Sequence, residues 1–168
     1  TEPLPRTIYH RTKLQAETLA EAAATPGFSV RVLRMGRCFP EPPERMAMFR
    51  LHRGIDARDV ASAHAALLLD EGARFARYLA CAPTPFRRED CLELATHPRS
   101  VLARRAPQLL AEFERRGWPL PLSIDRVYDS ARLRSELGWQ PCFGPDDVLQ
   151  QYAVGSIEVP VSYTHLRA

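Results

Sequence analysis

Ser29-Val30-Arg31-Val32-Leu33-Arg34-Met35 is β-branched at Val30 and Val32 and reads as a strand. On its upstream side, Tyr9 to Ala24 carries Ala16, Leu19, Ala20 and Ala23 at i, i+3, i+4 and i+7, a helix closed by Thr25-Pro26-Gly27. On its downstream side a proline-rich stretch from Gly36 to Arg53 reads as a loop, and Asp56 and Asp59 then sit where acids favour a helix start. That helix is expected to run through Ala61, Ala65 and Leu68 to a stop at Gly72, before a second strand at Phe75 to Cys81. Helix, strand, helix, strand predicts crossover connections and two neighbouring parallel strands, an α/β fold.

Beyond Pro83 the pattern becomes helical. Short helices are predicted near Arg88–Ala95, Ser100–Arg105 and Pro107–Arg116, the last ended by Gly117, followed by an extended Arg126-Val127-Tyr128. Asp129-Ser130 offers a cap for a helix carrying Leu133 and Leu137, which Gly138 ends. This ordering suggests residues 1–82 as part of a parallel-sheet domain, with a loop within 36–55, and residues 83–155 as a smaller, mostly helical lobe.

The chain of 168 residues is 45% hydrophobic and 26% charged, enough apolar content for a core. Its net charge of +3 conceals an imbalance: Lys13 is the only lysine, and every other basic residue of the 23 is arginine. The densest arginine stretch, Arg87 to Arg116, is interleaved with Glu89, Asp90, Glu93, Glu112 and Glu114, the pattern of solvated helix faces rather than of a nucleic-acid footprint. No apolar run reaches the ~18 residues a bilayer helix needs, and the first residues lack the order of a signal peptide, so no membrane partner and a cytoplasmic location are expected. Cys38, Cys81, Cys91 and Cys142 form no Cys-x-x-Cys pair and read as reduced core thiols. The histidines show no paired ligand spacing, so no metal site is expected; His52 and Asp56 would share a face only if their loop were helical.

One spacing carries chemistry. In a helix, Tyr9 and Lys13 of Tyr9-His10-Arg11-Thr12-Lys13 lie four apart on one face, a phenol beside an ammonium. A cation held near a phenol favours its ionised form, which makes the pair an acid–base device. With five tyrosines in the chain, a lone lysine falls four positions after a tyrosine by chance only about 3% of the time.

Tyr9-His10-Arg11-Thr12-Lys13 resembles the Tyr-x-x-x-Lys motif of the extended short-chain dehydrogenase/reductases, the NAD(P)-dependent epimerase/dehydratase group. Val32 to Pro40 is similar to that family's strand and turn lining the nicotinamide, Ile55 to His64 to its following helix start, and Leu137-Gly138-Trp139-Gln140-Pro141 to its C-terminal signature. The resemblance covers about Thr1 to Tyr152. It implies a Rossmann-type domain, an NAD or NADP cofactor, and hydride transfer on a nucleotide-sugar or similar hydroxyl or carbonyl substrate. It assigns Tyr9 as acid/base, Lys13 as ribose ligand, and Met35 and Gly36 to the cofactor. Arg37, where the family often has asparagine, and Arg53 are candidates for binding a substrate diphosphate as charged forks.

The glycine-rich dinucleotide fingerprint and the serine or threonine that precedes the tyrosine motif do not occur in the chain. The resemblance therefore implies the C-terminal portion of an epimerase or dehydratase, a homodimer when complete. The other reading of these residues is a non-catalytic Rossmann-like module that senses dinucleotide or mediates an interaction. Val161 to Ala168 follows no family pattern and resembles translated read-through; residues 156–168 are expected to be a non-native or disordered tail.

Overall fold

The structure, a computed structural model, describes residues 4–159. Its elements run α1 (Ile8–Ala23), β1 (Val30–Met35), α2 (Pro43–His52), α3 (Ala57–Leu68), β2 (Phe75–Ala80), a 3-10 turn at Arg88–Asp90, α4 (Cys91–Thr96), α5 (Pro98–Arg105), α6 (Pro107–Arg116), α7 (Ala131–Leu137) and α8 (Pro145–Ala153). β1 and β2 pair in parallel, in register from Val30 with Phe75 to Met35 with Ala80. The crossover between them holds α2 and α3. Thr7 opens α1 by accepting the His10 amide, and Asp56 opens α3 by accepting the Arg58 amide at 2.9 Å.

Two helices differ from the sequence expectation. The segment from Gly36 to Arg53 is not all loop, because Pro43 begins α2, and α8 starts at Pro145 where no helix was expected. The physical reason is the same in both. Proline at the first helical position gives up an amide that would have no intrahelical acceptor, and its fixed φ suits the helix. Because α2 stops at His52, Asp56 lies past its end as the cap of α3, and the two residues do not share a helix face.

The sheet's two faces are covered differently. Ala76, Tyr78 and Ala80 point alternately into a core with Ala63 and Leu67 of α3, Leu133 of α7 and Trp139, whose Nε1 donates to the Ser62 hydroxyl at 2.9 Å. The opposite face meets α1, which buries no residue: Glu17 bridges Arg34 of β1 (2.6 Å) and Arg77 of β2 (3.1 Å). Leu19, part of the helix's expected apolar stripe, is 72% exposed. Among the described residues, β1 pairs with β2 alone and its outer edge carries no strand.

A second core joins α2, α4, α5, α6 and α8 around Leu51, Leu94, Leu102 and the fully buried Phe113, with Trp118 packed at its margin. The two cores interleave along the chain: α2 belongs to the helical core and α7 with Trp139 to the sheet core. The tail expected at 156–168 falls partly on described residues. Val159 is fully buried in the helical core, while residues 160–168 lie outside the described residues. Of the four cysteines expected in the core, Cys81 is buried and Cys38 half-buried, whereas Cys91 and Cys142 are exposed.

The arginine-rich stretch forms ion pairs along its helices. Arg105 and Arg104 converge on the buried Asp90 at 2.8 and 3.2 Å, and Arg115 and Arg116 on Glu112 at 2.6 and 2.5 Å.

Candidate functional site

The C-terminal end of β1 is stitched to the end of α2 by backbone alone. Gly36 donates to Ala80 at 2.8 Å, Arg37 donates to Arg53 at 2.8 Å, Ile55 donates to Arg37 at 3.0 Å, and Ala82 donates to Gly54 at 2.8 Å. The approach is so close that a Cβ on Gly36 would come within 2.7 Å of the Arg53 carbonyl oxygen, so only glycine fits there. Arg37 and Arg53, distant in sequence, thereby become neighbours at the tip of the parallel sheet, where ligands bind in open α/β folds.

Above this tip lies a cavity of about 710 Å³, lined among others by Tyr9, Lys13, Met35, Gly36, Arg37 and Arg53. All six candidate residues from the sequence therefore share one cavity. It continues along the unpaired edge of β1, past Ala16 and Ala20 of α1 on one side and His64 of α3 on the other. A smaller cavity of about 170 Å³ adjoins it through Arg37, Cys38 and Phe39.

Helical periodicity sets the Tyr9–Lys13 pair: the Lys13 Nζ lies 5.5 Å from the centroid of the Tyr9 ring. Tyr9 is 63% exposed, and Lys13 makes no ion pair among the described residues. Two other cations of the cavity are engaged. Arg34 is held by Glu17, and Arg37 by a two-pronged pair with Glu41, Nε to Oε2 at 2.6 Å and Nη2 to Oε1 at 2.8 Å. The Arg34 guanidinium lowers the Glu17 pKa, and Arg37 does the same to Glu41. Arg53 reaches only to 3.7 Å from Asp125.

Glu41, Phe49, His64 and Tyr128 were not singled out from the sequence. Tyr128 lines the cavity because its amide donates to the His52 carbonyl at 2.7 Å, pinning the extended segment before α7 against the end of α2. His52 itself is buried and its Nδ1 donates to the Arg126 carbonyl at 3.1 Å; burial pushes its pKa down to about 4, so the ring is neutral. No local pattern announces these residues, because each arrives through tertiary contact. Tyr9 and Lys13 were legible because both sit on one helix.

Beneath the cavity, buried Arg50 donates to Asp56 at 2.9 Å and to the Phe143 carbonyl at 3.3 Å. Burial alone would raise the Asp56 pKa, but Arg58 and Arg50 overcome it and hold the carboxyl at about 2. Asp59, 1% exposed, accepts the Cys142 and Phe143 amides at 2.8 and 3.0 Å, and burial raises its pKa against those two bonds. These contacts fasten the segment after Trp139 to the start of α3. Among the described residues no group of three His, Cys, Asp or Glu side chains is placed to hold a metal ion, and no helix is long and apolar enough to cross a membrane.

No family model and no curated protein matches the chain. A solved structure does. RMD from Pseudomonas aeruginosa, determined in complex with NADPH, is similar with a TM-score of 0.52 and 23% identity over 89% of this chain and 55% of that one. The likeness is one of fold, and the chain spans about half the length of that neighbour.

Proposed function

We propose that this chain forms the catalytic-pair and substrate side of an NAD(P)-dependent oxidoreductase of the epimerase/dehydratase type, acting on a nucleotide-sugar or similar hydroxyl or carbonyl compound. The observation that carries the reading is that Tyr9 and Lys13, paired on one helix face, open onto the cavity at the C-terminal tip of β1. It is supported by the likeness of the fold to a protein solved with NADPH.

The residues suit one end of a dinucleotide. The Lys13 ammonium, without an ion pair among the described residues, is a donor set for vicinal ribose hydroxyls, and Met35 and Gly36 line the same cavity. The glycine-rich turn that cradles a pyrophosphate does not occur in the sequence. When bound, the nicotinamide supplies a hydride acceptor or donor. Tyr9 then moves the proton on the adjoining substrate oxygen, and Lys13 orients the ribose. Arg37 and Arg53 are placed to meet an anionic part of the substrate farther along the cavity.

The test is Tyr9→Phe in the complete enzyme. Turnover is expected to fall about 10²–10⁴-fold with cofactor affinity retained, because one positioned proton-transfer group is lost and nothing else. Wild-type turnover would remove Tyr9 from the chemistry.

A further inference from the structure

Phe49 holds two guanidiniums against its ring, Arg37 at 4.9 Å and Arg53 at 4.8 Å from the centroid. Their backbones cannot separate, since the Arg37 amide is bonded to the Arg53 carbonyl and the Arg37 carbonyl to the Ile55 amide. Any rearrangement at this pair is therefore a movement of side chains.

The two guanidiniums are in different states. Arg37 spends its fork on Glu41, whose carboxylate is only 10% exposed and also lies 3.6 Å from Arg45. Arg53 has no such partner: Asp125 is 3.7 Å away, and the Arg53 Nε is buried without an acceptor. A buried donor left unpaired costs free energy that an incoming acceptor recovers. Two adjacent arginines on one aromatic platform, one with an orphan N–H and one closed by an internal carboxylate, make an oxyanion site with a resident occupant.

We propose that Glu41 is a built-in competitor at this site, and that an anionic ligand bridging Arg37 and Arg53 displaces the Glu41 carboxylate from the Arg37 fork. The ligand class is a multivalent oxyanion, a diphosphate or a dicarboxylate, presented by the substrate. The proposal rests on the proposed function only for the anion's belonging to the substrate, and its test needs neither cofactor nor turnover, so the two can fail separately.

The experiment is calorimetric titration of the 168-residue chain and its Glu41→Gln variant with pyrophosphate and, in parallel, with succinate, at low salt. Glu41→Gln is expected to tighten binding of at least one anion about tenfold, and the anion that gains identifies the source. Adding Arg53→Leu is expected to cancel the gain. Equal affinity of Glu41→Gln and the parent for both anions, or a gain that survives Arg53→Leu, overturns the proposal. The parent chain gives a reading that needs no variant: on titration with the tighter anion, the Nε–H resonances of Arg37 and Arg53 move together. Saturation with both resonances unmoved overturns it.

Discussion

The Tyr128 amide donates to the carbonyl of buried His52 at 2.7 Å, which pins the segment that carries Tyr128 into the cavity wall against the end of α2. The His52 pKa lies near 4 in the fold against an ordinary 6.5, which means that the unfolded chain takes up a proton first as pH falls. The His52 contribution is therefore complete above about pH 6.5 and declines as pH drops from there to about 4, by roughly 3 kcal/mol. Urea unfolding across this range checks it, and His52→Asn, which keeps a donor for Arg126, is expected to flatten the slope. The Asp56 contribution has a separate window. With its pKa held at about 2 against 3.8, it is present above pH 4 and lost only as pH falls toward 2.

Asp59 is the acceptor for two backbone amides from the segment after Trp139. Asp59→Ala leaves both donors without an acceptor in a buried place, so a loss of about 2–5 kcal/mol is expected in denaturant unfolding. A loss below ~1 kcal/mol would show that water replaces the carboxylate and that the clamp is not needed.

On the proposed function, Lys13→Met in the full-length protein is expected to weaken cofactor binding and slow turnover together, in contrast to Tyr9→Phe, which is expected to spare binding. The split follows from geometry: the ammonium both faces the cavity and stands 5.5 Å from the Tyr9 ring centroid. Steady-state kinetics with a cofactor titration separates the two effects.

The 168-residue chain alone is expected to bind NAD and NADP negligibly. In dinucleotide folds most affinity comes from the pyrophosphate on backbone N–H groups at a helix N-terminus, and the sequence holds no such glycine-rich turn. Lys13 is one polar contact set against association costs of several kcal/mol. Micromolar binding in calorimetry would mean that the cofactor is held by a different set of residues.

The parts legible in the sequence were those encoded by local periodicity. The stripe in Tyr9 to Ala24, the β-branched Val30 and Val32, and the acid-led start of α3 each follow from a few neighbouring residues, and the parallel pairing follows from their order. α2 and α8 were hidden because proline both breaks helices and begins them, and Pro43 and Pro145 do the second. Glu41, Phe49 and Tyr128 were hidden because their roles depend on the stitching at Gly36 and Gly54, which joins segments far apart in the chain.

The interleaving of the two cores has an optical consequence. The chain's two tryptophans fall one to each: Trp139 lies in the sheet core with its indole N–H on Ser62, and Trp118 sits edge-on to Phe113, 5.2 Å between centroids, at the margin of the helical core. Each core thus carries its own fluorophore, and a pair of single Trp→Phe variants would report on one core at a time. Because α2 leaves the sheet to enter the helical core and α7 returns, neither can melt without pulling on the chain that runs through the other. Coincident emission transitions from the two variants would mark one cooperative unit, with no separable lobe to shed under denaturant.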